Sequence, residues 1–114
     1  MINELKKNNI EFNYFEMCDF KTLNELYNCL DLYIVGSRVE GGPRAINECS
    51  LIKVPILVTN VGIASLLCHS DSIFDMNNIN SIIKCNTNID YNFCQAQKYT
   101  IKNYMKEFTK NLLN

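Results

Sequence analysis

At 114 residues the chain has the length of one domain and no more. Its 47% hydrophobic and 11% aromatic content can bury a core, which excludes a wholly disordered tail. Eleven basic against twelve acidic residues leave a formal net charge of -1, so no global charge draws it to nucleic acid. No apolar run approaches the roughly 18 residues of a membrane-spanning helix. Met1-Ile2-Asn3-Glu4-Leu5-Lys6-Lys7 has no apolar stretch ahead of a cleavage site, so a cytoplasmic protein is expected.

In chain order, a short helical pattern (Ile2, Leu5, Lys6) leads into Ile10-Glu11-Phe12-Asn13-Tyr14-Phe15, whose alternation predicts a strand. Thr22-Leu23-Asn24-Glu25 has capping-box spacing. Leu23, Leu26, Tyr27 and Leu30 continue it as an amphipathic helix. Leu32-Tyr33-Ile34-Val35 is a continuous apolar run, the pattern of a strand buried on both faces. A glycine loop and a helix over about 43–53 precede a second such run, Ile56-Leu57-Val58. A helical stretch over 63–68, an edge strand at Ser72-Ile73-Phe74 and one or two helical turns over 80–84 follow. The tail over about 93–113 places Ile101, Tyr104, Met105, Phe108 and Leu112 on one helical face. Strands alternating with helices predict an α/β fold, a doubly wound parallel sheet with flanking helices in one domain.

The most informative segment is Val35-Gly36-Ser37-Arg38-Val39-Glu40-Gly41-Gly42-Pro43-Arg44-Ala45-Ile46-Asn47-Glu48. It lies between a predicted buried strand and a helix, where open α/β sheets bind ligands. Gly41 and Gly42 lack a Cβ, so the backbone can approach a ligand closely, and Pro43 suits the first helical position. The free N–H groups and partial positive charge of that helix end favour a phosphate. Arg44 in the first turn opposes the dipole preference, a cost that an anionic ligand would offset. Glu48 lies about five residues into the helix, roughly 7–8 Å along its axis. Carboxylates so placed suit hydroxyls at the two ends of a nucleotide-sugar. A solvated loop acid and a helix-surface acid would show the same spacing.

Asp31-Leu32-Tyr33-Ile34-Val35-Gly36-Ser37-Arg38-Val39-Glu40-Gly41-Gly42-Pro43, then Glu48, then Val54-Pro55-Ile56-Leu57-Val58-Thr59-Asn60-Val61-Gly62, resembles glycosyltransferase family 4. The similarity is to the C-terminal, donor-binding lobe of these retaining GT-B enzymes and covers roughly residues 19–75. Their signature of two glutamates separated by seven residues is matched by Glu40 and Glu48. Their proline-led strand and following glycine are matched by Pro55 to Val58 and Gly62. The chain departs from the pattern at Pro43, where the family often has glycine, at Ile63, and at Ser65-Leu66, where an acid is usual.

The resemblance implies a Rossmann-like sheet and an incomplete GT-B lobe over 1–114. It implies a catalytic role for Glu40 on the hydroxyls of the donor sugar and a ribose contact for Glu48. Donor contacts are further implied from Gly41, Gly42, Arg44 and Gly62. The substrate would be a UDP- or GDP-sugar, with no cofactor and no metal, and the sequence has no Asp-x-Asp pair. An acceptor lobe and the first two strands of the donor lobe would precede residue 1, so a partner chain supplying that lobe is expected. A catalytically inactive remnant or interaction module of the same fold is the alternative. A small flavodoxin-like nucleotide-binding domain would need a phosphate loop after the first strand, where Met17-Cys18-Asp19 offers little.

Outside this segment, Lys98, Lys102, Lys106 and Lys110 recur every four residues along the tail. They would give either a peripheral contact with an anionic membrane or a solvated helix face. Arg38 would touch a phosphate or cap the strand end, and His69 reads as a surface or helix-end residue. Six cysteines (Cys18, Cys29, Cys49, Cys68, Cys85, Cys94) lack Cys-x-x-Cys spacing and are expected as free thiols.

Overall fold

A computed structural model describes residues 2–112. Met1 and Leu113, and the side chains of Ile2 and Tyr104 in the patterns above, lie outside the described residues. The order is α1 (Ile2–Lys7), α2 (Phe20–Asn28), β1 (Tyr33–Val35), α3 (Arg44–Leu51), β2 (Ile56–Thr59), α4 (Ala64–Leu67), β3 (Ile73–Phe74), α5 (Ile89–Lys98) and α6 (Ile101–Leu112). Turns of 3₁₀ helix at Ser70–Ser72 and Ile79–Lys84 flank β3. The strands form one parallel sheet in the order β1-β2-β3, with Ile34 opposite Leu57 and Val58 opposite Ile73. The chain is therefore a mixed α/β protein with a small parallel sheet and flanking helices.

The strand expected at Ile10–Phe15 does not form. Helix α1 closes in a Schellman motif, with Asn9 at φ 53° and the Ile10 N–H donating to the Leu5 carbonyl at 3.0 Å. The chain then runs as irregular, exposed backbone to Asp19, because alternation makes a strand only where a neighbour supplies ladder hydrogen bonds. The predicted capping box is also displaced. The Asp19 side chain accepts from the Thr22 N–H at 2.7 Å, so α2 starts at Phe20 and Thr22 lies within its first turn. That bond holds the Asp19 carboxyl below its ordinary range, so the stabilisation it gives is lost as the pH falls.

Strand β2 is buried at all four positions, as expected of a central strand. Strand β1 corrects the other prediction: it is an edge strand, and Ile34 is 50% exposed on the face opposite Val35. Val35, Ile56 and Val58 point from one face of the sheet into the main core, where they meet Ile46 and Cys49 of α3, Ala64 and Leu67 of α4, and Ala96 of α5. Helix α3 ends in a second Schellman motif, with Lys53 at φ 60° and the Val54 N–H donating to the Cys49 carbonyl at 2.9 Å. Asn92 of α5 is buried and fully used, accepting from the His69 N–H at 3.0 Å and donating to the Thr87 carbonyl at 2.9 Å.

The expected single tail helix breaks at Tyr99 and Thr100 into α5 and α6. Lys98 is thereby separated from Lys102, Lys106 and Lys110, and its Nζ donates to Gln95 Oε1 at 2.7 Å. Helix α6 packs mainly on α5 and extends the molecule to 62 × 32 × 24 Å. The radius of gyration, 16.3 Å, exceeds the roughly 13 Å of a compact chain of this length. Among the described residues, no helix is long and apolar enough to cross a membrane.

All six cysteines are free. Burial pushes the Cys49 thiol up to about 12 and the Cys68 thiol up to about 11. Because the thiolate is the reacting form, iodoacetamide at neutral pH should modify exposed Cys29 and Cys94 while sparing Cys49 and Cys68 until the chain is unfolded. Peptide mass spectrometry reads this directly, and early modification of Cys49 would contradict the core described here.

Candidate functional site

The loops that leave β1 and β2 meet at the C-terminal edge of the sheet. Thr59, the last residue of β2, is buried, and its Oγ1 donates to the carbonyls of Val35 at 3.3 Å and Ser37 at 2.6 Å. That bifurcated bond ties the start of the glycine loop to the neighbouring strand. Gly62 sits at φ +50°, and a Cβ there would lie 2.9 Å from the Gly41 carbonyl carbon and oxygen and 3.0 Å from the Gly42 nitrogen. The glycine is therefore required twice over, by its left-handed backbone and by the approach of the other loop. Gly41, Gly42 and Gly62 are brought together in this way.

The remaining candidates divide. Glu40 is exposed on the loop and accepts from Ser37 Oγ at 2.6 Å. Pro43 is the N-cap of α3 rather than its first residue, and contributes no side-chain capping bond. Arg44 is exposed in the first turn, and neither Arg38 nor Arg44 has an ion-pair partner among the described residues. Glu48 is partly buried and turned toward α2, where Tyr27 Oη donates to its Oε2 at 3.2 Å. It lines an apolar depression of about 280 Å³ with Phe20, Leu23, Tyr27 and Leu51.

Tyr33 on β1 is close enough to both glutamates for their charges to act on its hydroxyl. Its hydroxyl is pushed up first by burial, with smaller contributions from Cys49 and from the Glu40 and Glu48 carboxylates. Tyr27, edge-on to Tyr33 at 5.7 Å, is likewise raised by burial, then by Tyr33 and Glu48. Both hydroxyls thus stay protonated near neutral pH, and that of Tyr27 is the donor to Glu48. The tyrosines were legible only as apolar strand and helix positions, because nothing in their spacing shows that β1 and α2 bring them together.

A separate open cavity of about 480 Å³ lies at the strand ends. Ser37, Arg38, Thr59, Asn60, Asp75 and Asn77 supply its polar lining. None of Glu40, Gly41, Gly42, Arg44, Glu48 or Gly62 lines it. The rule that ligands sit beyond the carboxyl ends of parallel strands points to Thr59 and Asn60. Asp75 and Asn77 could not be placed there before β3 was known to pair with β2. Among the described residues, no group of three or more His, Cys, Asp or Glu side chains is arranged to hold a metal ion. His69 caps the 3₁₀ turn at Ser70, accepting at Nδ1 from the Asp71 N–H at 3.2 Å, and its ring stands edge-on to Tyr91.

In comparisons with known proteins, no family model matches the chain, and no curated protein or solved structure matches it significantly. What the site rests on is its own geometry: two loops locked at Gly41 and Gly62 on the carboxyl edge of a three-stranded parallel α/β sheet.

Proposed function

We propose that the chain is the nucleotide-sugar-binding part of a glycosyltransferase of the retaining GT-B type. The carrying observation is the seating of Gly62 on Gly41 and Gly42, which holds the glutamate-bearing loop against the end of β2. In this reading the three strands belong to a Rossmann-like donor lobe. The sugar of a UDP- or GDP-sugar lies against Glu40 and the Gly41–Gly42 backbone, and Glu48 takes the ribose hydroxyls beside Tyr27. The start of α3, which has no side-chain cap, offers positive potential to the diphosphate, together with Arg38 and Arg44, neither of them ion-paired among the described residues. Stabilising the departing diphosphate is then the chain's main chemical contribution. Metal is not required, and a partner chain supplies the acceptor lobe.

The second reading, a remnant or interaction module without turnover, is favoured by one feature: Glu48 is engaged by Tyr27 and lies outside the strand-end cavity. A thermal-shift titration with UDP, GDP and their common sugar conjugates separates the two. At 100 times the dissociation constant a ligand stabilises the native state by about 2.7 kcal/mol. The binding reading expects a shift with one nucleotide, lost in Glu48→Ala and reduced in Glu40→Gln. A cooperatively melting wild-type protein that no nucleotide shifts would leave the module reading in its place.

A further inference from the structure

We propose that the cavity at the carboxyl ends of the three strands binds a sugar phosphate, its phosphate on Arg38 and its hydroxyls on Asn60, Asp75 and Asn77. The cavity holds about 480 Å³, within the roughly 300–1,000 Å³ of small-molecule sites. Loops from all three strands build it: Arg38 follows β1, Asn60 follows β2, and Asp75 and Asn77 follow β3. The loop after β3 reaches across β2 to the end of β1, where Met76 Cε lies 3.9 Å from the position of a Cβ on Gly36. Neither Glu40 nor Glu48 lines this cavity, and Arg38 alone is shared with the nucleotide-sugar reading, so the inference stands apart from it.

The hydrogen bonds of the lining residues select the ligand. Thr59 Oγ1 donates to the Val35 and Ser37 carbonyls, and Ser37 Oγ donates to Glu40, so both hydroxyl protons are already used. By contrast, the Arg38 guanidinium and the side-chain amides of Asn60 and Asn77 have no partner among the described residues. Asp75 Oδ1 accepts from the Asn77 N–H at 2.9 Å, which fixes the carboxylate in its own turn and leaves Oδ2 without a partner among those residues. Arg38 and Asp75 line one cavity with opposite charges, yet they form no ion pair. A fitting ligand is anionic at one end only. The guanidinium fork matches phosphate oxygens bidentately. The Asp75 carboxylate repels that phosphate, which sets the direction in which the ligand lies. A carboxamide both donates and accepts, as a hydroxyl does, so Asn60 and Asn77 suit hydroxyls better than an ammonium group, which accepts nothing. Phe74 and Met76 add an apolar wall for the C–H face of a sugar ring.

The test is isothermal titration calorimetry of the full chain with glucose-1-phosphate, glucose-6-phosphate and ribose-5-phosphate, and with glucose, glucuronate and inorganic phosphate beside them. At least one sugar phosphate is expected to bind more tightly than all three of the latter. Arg38→Ala should weaken that binding about tenfold or more, as loss of a charge-assisted pair does. Asn60→Ala combined with Asn77→Ala should remove the preference over inorganic phosphate and leave the binding of phosphate itself unchanged. None of these side chains bonds within the fold, so the variants should melt with the parent, which circular dichroism checks. Lys21→Ala, a change to an exposed cation on α2, should alter nothing. Failure of every sugar phosphate to bind the folded protein, equal binding by Arg38→Ala, or a double variant that keeps the preference would overturn the proposal. So would tighter binding of glucuronate or of inorganic phosphate. The nucleotide-sugar reading makes no use of Asn60 or Asn77 and survives or fails separately.

Discussion

Gly62→Ala is expected to destabilise the protein by at least about 2 kcal/mol. A non-glycine residue held in the left-handed region costs roughly 1–2 kcal/mol. Here the new Cβ also lies 2.9 Å from the Gly41 carbonyl, backbone that cannot rotate away as a side-chain tip would. The loops must separate, and the Thr59 bonds to Val35 and Ser37 are strained with them. Gly41→Ala and Gly42→Ala provide the comparison, since a Cβ at either meets nothing within 4 Å. Their effect on folding should stay within about 0.5 kcal/mol. Urea denaturation of the three variants measures the difference, and equal midpoints would show that the Gly41–Gly62 contact does not organise this edge of the sheet.

Ile56→Ala should cost about 2–5 kcal/mol, the range for truncating a fully buried aliphatic side chain. Ile56 is completely inaccessible and belongs to the core cluster that joins the sheet to α3, α4 and α5. Against a total stability of about 5–15 kcal/mol, a loss of that size removes a large share of the folded population's margin. Ile101→Ala on α6 is the counterpart with the same chemistry and should change stability by less than about 0.5 kcal/mol, because its side chain already faces water. Chemical denaturation followed by circular dichroism distinguishes the two. A small effect at Ile56 would mean that the helices do not close over β2 as described.

The two variants probe opposite ends of one uneven distribution of apolar surface. The core gathers around β2, α3 and α4, while Ile10, Tyr14, Phe15 and Met17 ahead of α2, Phe20 at its first position, Ile34 on β1 and the α6 stripe stay exposed. Strand β1 lies at the edge of the sheet with one neighbour, and its Ile34 face lacks the cover that β2 has on both faces.

Local chemistry was enough to read most of the elements in the middle of the chain. Runs of β-branched and leucine residues marked β1 and β2, the Gly-Gly-Pro punctuation marked the start of α3 to within a residue, and Ser72-Ile73-Phe74 marked the edge strand. These signals depend on near neighbours and survive whatever the rest of the fold does. Ile10–Phe15 failed because strand identity is a pairing property, and alternation cannot say whether a partner exists. The tail failed in a related way: the four-residue lysine repeat continues through Tyr99 and Thr100, but the backbone breaks there. For the site, the residues were legible and their grouping was not. The glycines were visible as places of close approach, yet only the packing of one loop on the other gives Gly62 its φ of +50° and its contact with Gly41. Glu40 and Glu48 were legible as a spaced pair, but Tyr27, set on α2 across from α3, decides where the Glu48 carboxylate points. Spacing along a chain determines which residues share a helix face or a loop; which of them meet is settled by elements far apart in sequence, through burial that no local pattern encodes.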